Sequence, residues 1–261
     1  MIWKQPSKRV ALSGHGELAR NDRPSPYNSP MCGRFAQYSD LPSLARRFSV
    51  PEDMVRTNEG PPRFNIAPSA QILAVRLDGE GQRELARLKW GLVPHWSVEP
   101  KTSYNTSNAR AETVDSKPAF RSAFQRRRCL IPADGWYEWQ TLPDQKIKQP
   151  WYYRGEQEAI LAFAGLWERW EHKEVILETC TLIVCAANAI ARPVHDRMPV
   201  ILGEDVLRDW LDPNLPAEAA KAMLRPCPED WIRTTPVSRA VSITRNEGPQ
   251  LIEPLAPDLA A

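Results

Sequence analysis

The spacing of apolar residues changes along this chain, and each spacing names the element that would bury them. Between Leu41 and Phe48 the apolar residues recur at helical spacing, and Asp40 stands just before them as an N-cap. Ile72 to Leu77 and Arg87 to Val93 read with the period of strands instead. Cys129–Ile131, Trp136–Trp139, Trp151–Tyr153, Ile160–Leu166 and Cys180–Ala186 are rich in branched and aromatic side chains, and these too predict strands. Late in the chain, Asp205 to Leu211 and Ala217 to Leu224 predict short helices. Strands dominate, without the regular helix alternation of a parallel α/β sheet. The expected class is therefore α+β: a single domain with a curved, mainly antiparallel, barrel-like sheet flanked by helices. No internal repeat and no specific Gly-rich phosphate loop interrupts this pattern.

The first thirty residues break the pattern. They are polar, punctuated by Pro6, Pro24, Pro26 and Pro30, and their apolar stretches are too short for a signal-peptide core. Glu17 and Asp22 fit a transit peptide poorly. Residues 1–30 are expected to be a disordered leader, or upstream sequence translated from a wrongly chosen start, with Met31 as the natural alternative start. The folded domain is expected over residues 31–254, followed by a tail at 255–261.

Composition narrows the function. With 42% hydrophobic and 25% charged residues the balance is that of a globular protein. No apolar run approaches the roughly 18–20 residues of a membrane span, so the expectation is a soluble protein without a membrane partner. The net charge of +2 requires that any nucleic-acid binding come from a local patch. Arg126-Arg127-Arg128 is the densest basic run and reads as a solvated strand end. The cysteines Cys32, Cys129, Cys180, Cys185 and Cys227 form no Cys-x-x-Cys pair, and no two histidines sit at metal-ligand spacing. An odd count without a secretory signal points to reduced thiols in the cytoplasm, and no structural zinc is expected.

Four short segments pack reactive groups among turn formers and aromatics. They are Met31-Cys32-Gly33-Arg34-Phe35, Asn108-Ala109-Arg110-Ala111-Glu112-Thr113, Asp134-Gly135-Trp136-Tyr137-Glu138-Trp139 and His195-Asp196-Arg197-Met198-Pro199. Together they supply a thiol, an amide, a carboxylate and an imidazole, the parts of a nucleophilic site. A carboxylate among three aromatics would have its pKa raised by desolvation, which suits Glu138 to proton shuttling near neutrality. His195, bracketed by Pro193 and Pro199, titrates near 6.5 when unperturbed. Arg110 shares a face with Asn108 if that segment is extended, and Arg34 shares one with Cys32; each could take a phosphate. Of the tryptophans, Trp90, Trp136, Trp151 and Trp167 are assigned to the core, and Trp96 and Trp139 to stacking on an exposed base.

In order and wording these segments resemble the SRAP family of abasic-site processing proteins. The resemblance runs from Met31 to about Pro254 and takes in Arg63-Phe64-Asn65-Ile66-Ala67-Pro68, Trp90-Gly91-Leu92-Val93-Pro94 and Arg245-Asn246-Glu247-Gly248-Pro249. It implies that Cys32 becomes the mature N-terminus, by removal of an initiator Met or by self-cleavage of the Met31–Cys32 bond. Cys32 would then trap the aldehyde of an abasic site in single-stranded DNA as a thiazolidine. By the same resemblance Glu138 is the acid/base, His195 assists opening of the sugar, and Asn108 holds its oxygen. Asn65 and Pro68 line the DNA groove. The implied partner is single-stranded DNA containing abasic sites, bound by a monomer during an SOS-type response, with no metal and no nucleotide cofactor. An abasic-site lyase activity is a further implication. Two other readings stay open: a cysteine protease acting on other proteins through Cys32, Glu138 and His195, and a non-covalent single-strand-binding module.

Overall fold

Two sheets meet at the center of the molecule, and each contributes half of the reactive residues. The computed structural model describes residues 32–142 and 147–255. The expected leader at 1–30, Met31 and all but the first residue of the expected tail lie outside the described residues. The strands are β1 (Phe35–Gln37), β2 (Arg63–Ile66), β3 (Gln71–Leu77), β4 (Arg83–Trp90), β5 (Asn108–Arg110), β6 (Arg128–Ala133), β7 (Gly135–Gln140), β8 (Gln149–Gly155), β9 (Leu161–His172), β10 (Val175–Ala186), β11 (Arg197–Pro199) and β12 (Ile232–Pro236). The α-helices are short: α1 (Leu41–Phe48), α2 (Arg121–Arg126), α3 (Leu207–Leu211) and α4 (Ala217–Ala222).

The first sheet is wholly antiparallel, in the order β12-β8-β7-β1-β2. The second runs β11-β10-β4-β3-β6-β9, and the long strands β9 and β10 also pair with each other, so β10, β4, β3, β6 and β9 close into a barrel. Among the described strand pairings only those of β10 with β4 and with β5 are parallel, apart from an isolated bridge between Val55 and Leu85. The α+β class with a barrel-like, mainly antiparallel sheet is thus the observed one.

Local chemistry explains where elements begin and end. Asp40 caps α1 as its position predicts, its Oδ1 accepting from Ser43 N at 2.7 Å. The helix stops at Ser49, which turns left-handed at φ 52°. β4 ends at Trp90 rather than Val93, because Gly91 at φ 132° swings the chain away and donates to Cys180 O. At Gly135 a β-carbon would sit 2.3 Å from the Tyr153 carbonyl and 2.4 Å from the Tyr152 ring, so only glycine lets β7 close on β8 there.

Alternation along the first sheet sorts its aromatics onto two faces. Phe35, Trp136 and Tyr153 point into the main core, where Trp136 stacks on Tyr153 at 4.6 Å and Phe35 meets Trp90 edge-on at 5.1 Å. Ala36, Tyr137 and Tyr152 point the other way, into a smaller cluster completed by Val237, Val241 and Leu251 from the end of the chain. Trp90 and Trp136 are core residues as expected; Trp151 and Trp167 are only half-buried, and Trp210 is a fully buried one that spacing did not single out.

The basic run differs from expectation. Arg128 is buried, and its guanidinium donates to the carbonyls of Phe124, Gln125, Trp210 and Asp212, tying α2 and α3 to the barrel. Arg127 pairs with buried Glu168 at 2.8 Å, and His95 meets the same carboxylate at 3.0 Å. Two of the three arginines are therefore turned inward. No described helix is long and apolar enough to cross a membrane.

Candidate active site

Cys32 lies three residues ahead of β1, Glu138 on β7, Asn108 at the head of β5, and His195 two residues ahead of β11. β1 and β7 are neighbors in the first sheet, whereas β5 and β11 both lean on β10 of the second. The register Phe35↔Trp136 and Ala36↔Gly135 continues through Tyr137 N donating to Arg34 O at 3.0 Å. That pairing draws the arm ahead of β1 along β7 until Cys32 N donates to Glu138 Oε1 at 3.1 Å. From the other sheet, Asn108 Nδ2 reaches the Cys32 carbonyl at 3.4 Å. The arm is pinned on both sides of its reactive residue.

Cys32 is 2% exposed and sits at φ 39°, in the left-handed region that a β-carbon disfavors. Burial pushes its thiol well above the ordinary cysteine range, and the Glu138 carboxylate adds to that push. Glu138 shares alternation with Trp136, so it faces the main core and is also 2% exposed. Burial raises its pKa to about 8, against the opposing pull of its hydrogen bonds with Cys32. At neutral pH most of this carboxyl is protonated, yet it ionizes readily enough to take a proton back.

His195 approaches from the β11 side. The Arg197 amide donates to its Nδ1 at 3.0 Å, which makes Nδ1 an acceptor and leaves the ring proton on Nε2. The exposed Asp196 carboxylate lies 3.2 Å from the same nitrogen and would pair with it only in a charged ring. Burial lowers the His195 pKa and outweighs Asp196, so the neutral ring is the resting form. Asp196 in turn raises Glu138, and the Arg197 charge is felt at Cys32, which ties the β11 turn electrostatically to the pair.

The expected DNA-contacting residues divide sharply. Pro68, Trp96 and Arg110 are exposed, Trp96 by 54%. Asn65 is instead 1% exposed, with its amide fully engaged: its two N–H hydrogens are shared among the carbonyls of Val241, Ile243 and Asn246, and its oxygen accepts from Arg34 Nη1 at 2.7 Å. The same Arg34 nitrogen donates to Val241 O at 2.7 Å, and the guanidinium lies over the Trp139 ring at 5.6 Å. Trp139 donates its indole N–H to Ser242 Oγ at 2.9 Å. These three residues form a joint with the end of the chain.

Sequence reasoning passed over the ion pair between Arg197 and Glu112. Both lie in segments already singled out, and their opposite charges were the available signal. Cys185, on β10 opposite Met198, likewise touches the site through its influence on Cys32. Among the described residues no group of three or more His, Cys, Asp or Glu could hold a metal.

A thiol and a nitrogen on one residue, facing a carboxyl held near neutrality with a neutral imidazole on the β11 side, make a candidate nucleophilic site with a proton donor of its own. The chain belongs to the SRAP, or SOS response associated peptidase, family, whose model matches residues 31–244. It is 40% identical over 225 residues to the abasic site processing protein YoaM of Bacillus subtilis, spanning 85% of this chain and 98% of that one. Its identity to the abasic site processing protein YedK of Escherichia coli is 32% over 235 residues, spanning 86% and 100%. A solved structure of a protein from Bacteroides thetaiotaomicron superposes with a TM-score of 0.75 at 24% identity, over 86% of this chain and all of that one, a likeness of fold.

Proposed function

We propose that the protein processes abasic sites in single-stranded DNA by bonding them covalently to Cys32 once Cys32 is the N-terminal residue. The observation that carries this reading is the 3.1 Å contact between Cys32 N and Glu138. When the Met31–Cys32 bond is intact that nitrogen is an amide and no nucleophile. Once the bond is cut it is an α-amine, with a reference pKa of roughly 7.7–8.0, already beside a proton carrier.

The steps balance as follows. The neutral amine adds to the aldehyde of the ring-opened sugar, and Glu138 gives its proton to the departing hydroxyl, releasing water and leaving a protonated imine beside the Glu138 carboxylate. The Cys32 thiol passes its proton to the Glu138 carboxylate and its sulfur adds to the imine carbon, closing a five-membered thiazolidine. A thiol kept protonated by burial suits this order, because the amine must act first. It suits a cysteine protease poorly, since such an enzyme needs a thiolate. Neutral His195, with its proton on Nε2, is available to donate to the sugar oxygen during ring opening, and Asn108 to hold that oxygen.

Self-processing uses the same pair. Water adds to the Met31 carbonyl and gives a proton to the Glu138 carboxylate. Glu138 passes that proton to Cys32 N as the Met31–Cys32 bond breaks, and Met31 leaves as a carboxylic acid, which abolishes the left-handed torsion at Cys32. A strand-cleaving lyase step would start from the imine, and thiazolidine closure withdraws that intermediate. Exposed Trp96, Pro68 and Arg110 line the route for the strand. The protein acts as a monomer in the cytoplasm, over a folded domain of residues 31–254.

The test is a denaturing gel. The full chain as produced in cells, its N-terminus read by intact mass, is mixed with a single strand holding one abasic site. A heat-resistant adduct is expected from protein beginning at Cys32, and none from Cys32→Ala. Cleavage of a peptide substrate with no DNA adduct would instead favor the protease.

A further inference from the structure

Residues 238–251 cross the outer face of the first sheet directly behind the reactive arm. Val241 and Leu251 are buried there against Ala36, Tyr137 and Tyr152. Between them the chain has little regular structure, a turn of 3-10 helix at Arg239–Ser242 and another at Pro249–Leu251. Some of its carbonyls are answered within the segment, as Ile243 O is by Asn246 N, and the rest must find partners elsewhere. Asn65 Nδ2, sharing its two hydrogens, lies 3.2, 3.0 and 2.8 Å from the carbonyls of Val241, Ile243 and Asn246. Glu247 closes the other end, accepting from Phe64 N at 2.8 Å and Arg63 Nε at 2.9 Å. Gly248, at φ 118°, makes the bend that returns Leu251 to the sheet.

Arg34 connects this segment to the chemistry. It stands two residues from Cys32, its carbonyl accepts from β7, and its Nη1 bridges Asn65 Oδ1 and Val241 O. Both hydrogens of Nη1 are spent on these two oxygens, and Nε is buried without a protein partner, so neither paired edge of the guanidinium is open to a phosphate in solvent. We propose that residues 238–251 form a strap that positions Cys32, with Asn65 and Arg34 as the positioning residues that hold the reactive arm in register with Glu138. This rests on the covalent reading of Cys32, but the strap itself can be judged without it.

The test compares Arg34→Met and Asn65→Ala with the parent full chain. At saturating abasic single strand, each variant is expected to form adduct about tenfold to a hundredfold more slowly, the cost of a misplaced nucleophile. In a Cys32→Ala background, where no thiazolidine can form, and with a strand of the same length that has no abasic site, Arg34→Met is expected to leave the affinity within about twofold and its salt dependence unchanged. Weaker binding, with the log–log salt slope shallower by about 0.7 and an unchanged rate at saturation, would make Arg34 a phosphate ligand and overturn the proposal. Hydrogen exchange supplies a readout that needs neither DNA nor adduct. The amides of Phe35, Ala36 and Gln37 are expected to exchange about tenfold faster in Arg34→Met, with β9 and β10 unchanged. Equal exchange in variant and parent would overturn the strap even if Asn65→Ala does not fold. Absence of any adduct from the parent would instead end the covalent reading and leave the strap to the exchange result.

Discussion

The two faces of the first sheet are built from the same few residues and do opposite work. On the outer face most polar groups are answered, the buried Arg34 Nε being an exception. Tyr137 Oη donates to Phe64 O, Tyr152 Oη donates to Asp134 O, and the Asp134 carboxylate accepts from Tyr38 N and from both the amide and the hydroxyl of Ser39. Asn65 spends its whole amide on three carbonyls and one guanidinium. On the inner face Glu138 has, among the described residues, only Cys32 as its hydrogen-bond partner, and burial raises its pKa to about 8. A polar group whose demands are met holds structure; one left short is ready to exchange a proton. That difference, across one strand between Tyr137 and Glu138, separates scaffold from chemistry.

The sharpest way to break this comparison is at the nucleophile. Cys32→Ala removes the sulfur and is expected to abolish the heat-resistant adduct. Cys32→Ser keeps the α-amine and should still yield an imine that borohydride traps, whereas a protein relying on the thiol alone would yield nothing trappable.

Next is Glu138→Gln, expected to slow adduct formation by about a hundredfold to a thousandfold, within the range for loss of a general acid. The pH profile carries the sign. The amine must be neutral and Glu138 protonated, so the rate should rise through the amine pKa and fall again above that of Glu138. Glu138→Gln should erase the falling limb. Stability moves with the same group. Because the folded pKa lies above the ordinary 4.5, the unfolded chain binds fewer protons between about pH 4.5 and 8, and stability falls as pH rises across that window. Melting temperatures should therefore favor Glu138→Gln over the parent at pH 8 and not at pH 4. The reverse order would contradict the buried, proton-retaining carboxyl.

The outer face gives a smaller, purely structural effect. Asn65→Ala leaves the Asn246 carbonyl without the amide, removes one of two partners from Val241 O, Ile243 O and Arg34 Nη1, and is expected to cost about 1–3 kcal/mol of stability, read by urea denaturation. A loss below about 0.5 kcal/mol would mean that water replaces the amide freely. Smallest is Trp96→Ala, expected to weaken single-strand affinity by about 1–2 kcal/mol without altering the adduct rate at saturation, since stacking on an exposed ring binds and does not react.

Much of this was legible from residue order, and the failures have physical causes. The buried halves of the long strands β9 and β10 declare themselves by branched and aromatic residues, but their continuations Trp167–His172 and Val175–Thr179, more exposed and more charged, do not. The three-residue strands β1, β5 and β11 do not, since three residues set no period; yet these carry or adjoin Cys32, Asn108 and His195. The four reactive segments were visible as clusters of residue types. Their convergence was not, because it depends on β10 serving both β5 and β11 while β7 serves β1. Asn65 and Arg34 illustrate the limit best. A polar residue next to a reactive one looks the same in sequence whether it reaches outward to a phosphate or backward to a carbonyl 176 or 207 residues away. Arg128 misled for the same reason, its charge being spent inside on four carbonyls.

The most direct test of the central claim is mass spectrometry on the purified adduct with the abasic strand. The account predicts a mass equal to protein beginning at Cys32 plus DNA less one water, with the DNA carried on the peptide whose first residue is Cys32. The same adduct formed by chains that still carry Met31, or DNA attached to any lysine, would contradict it.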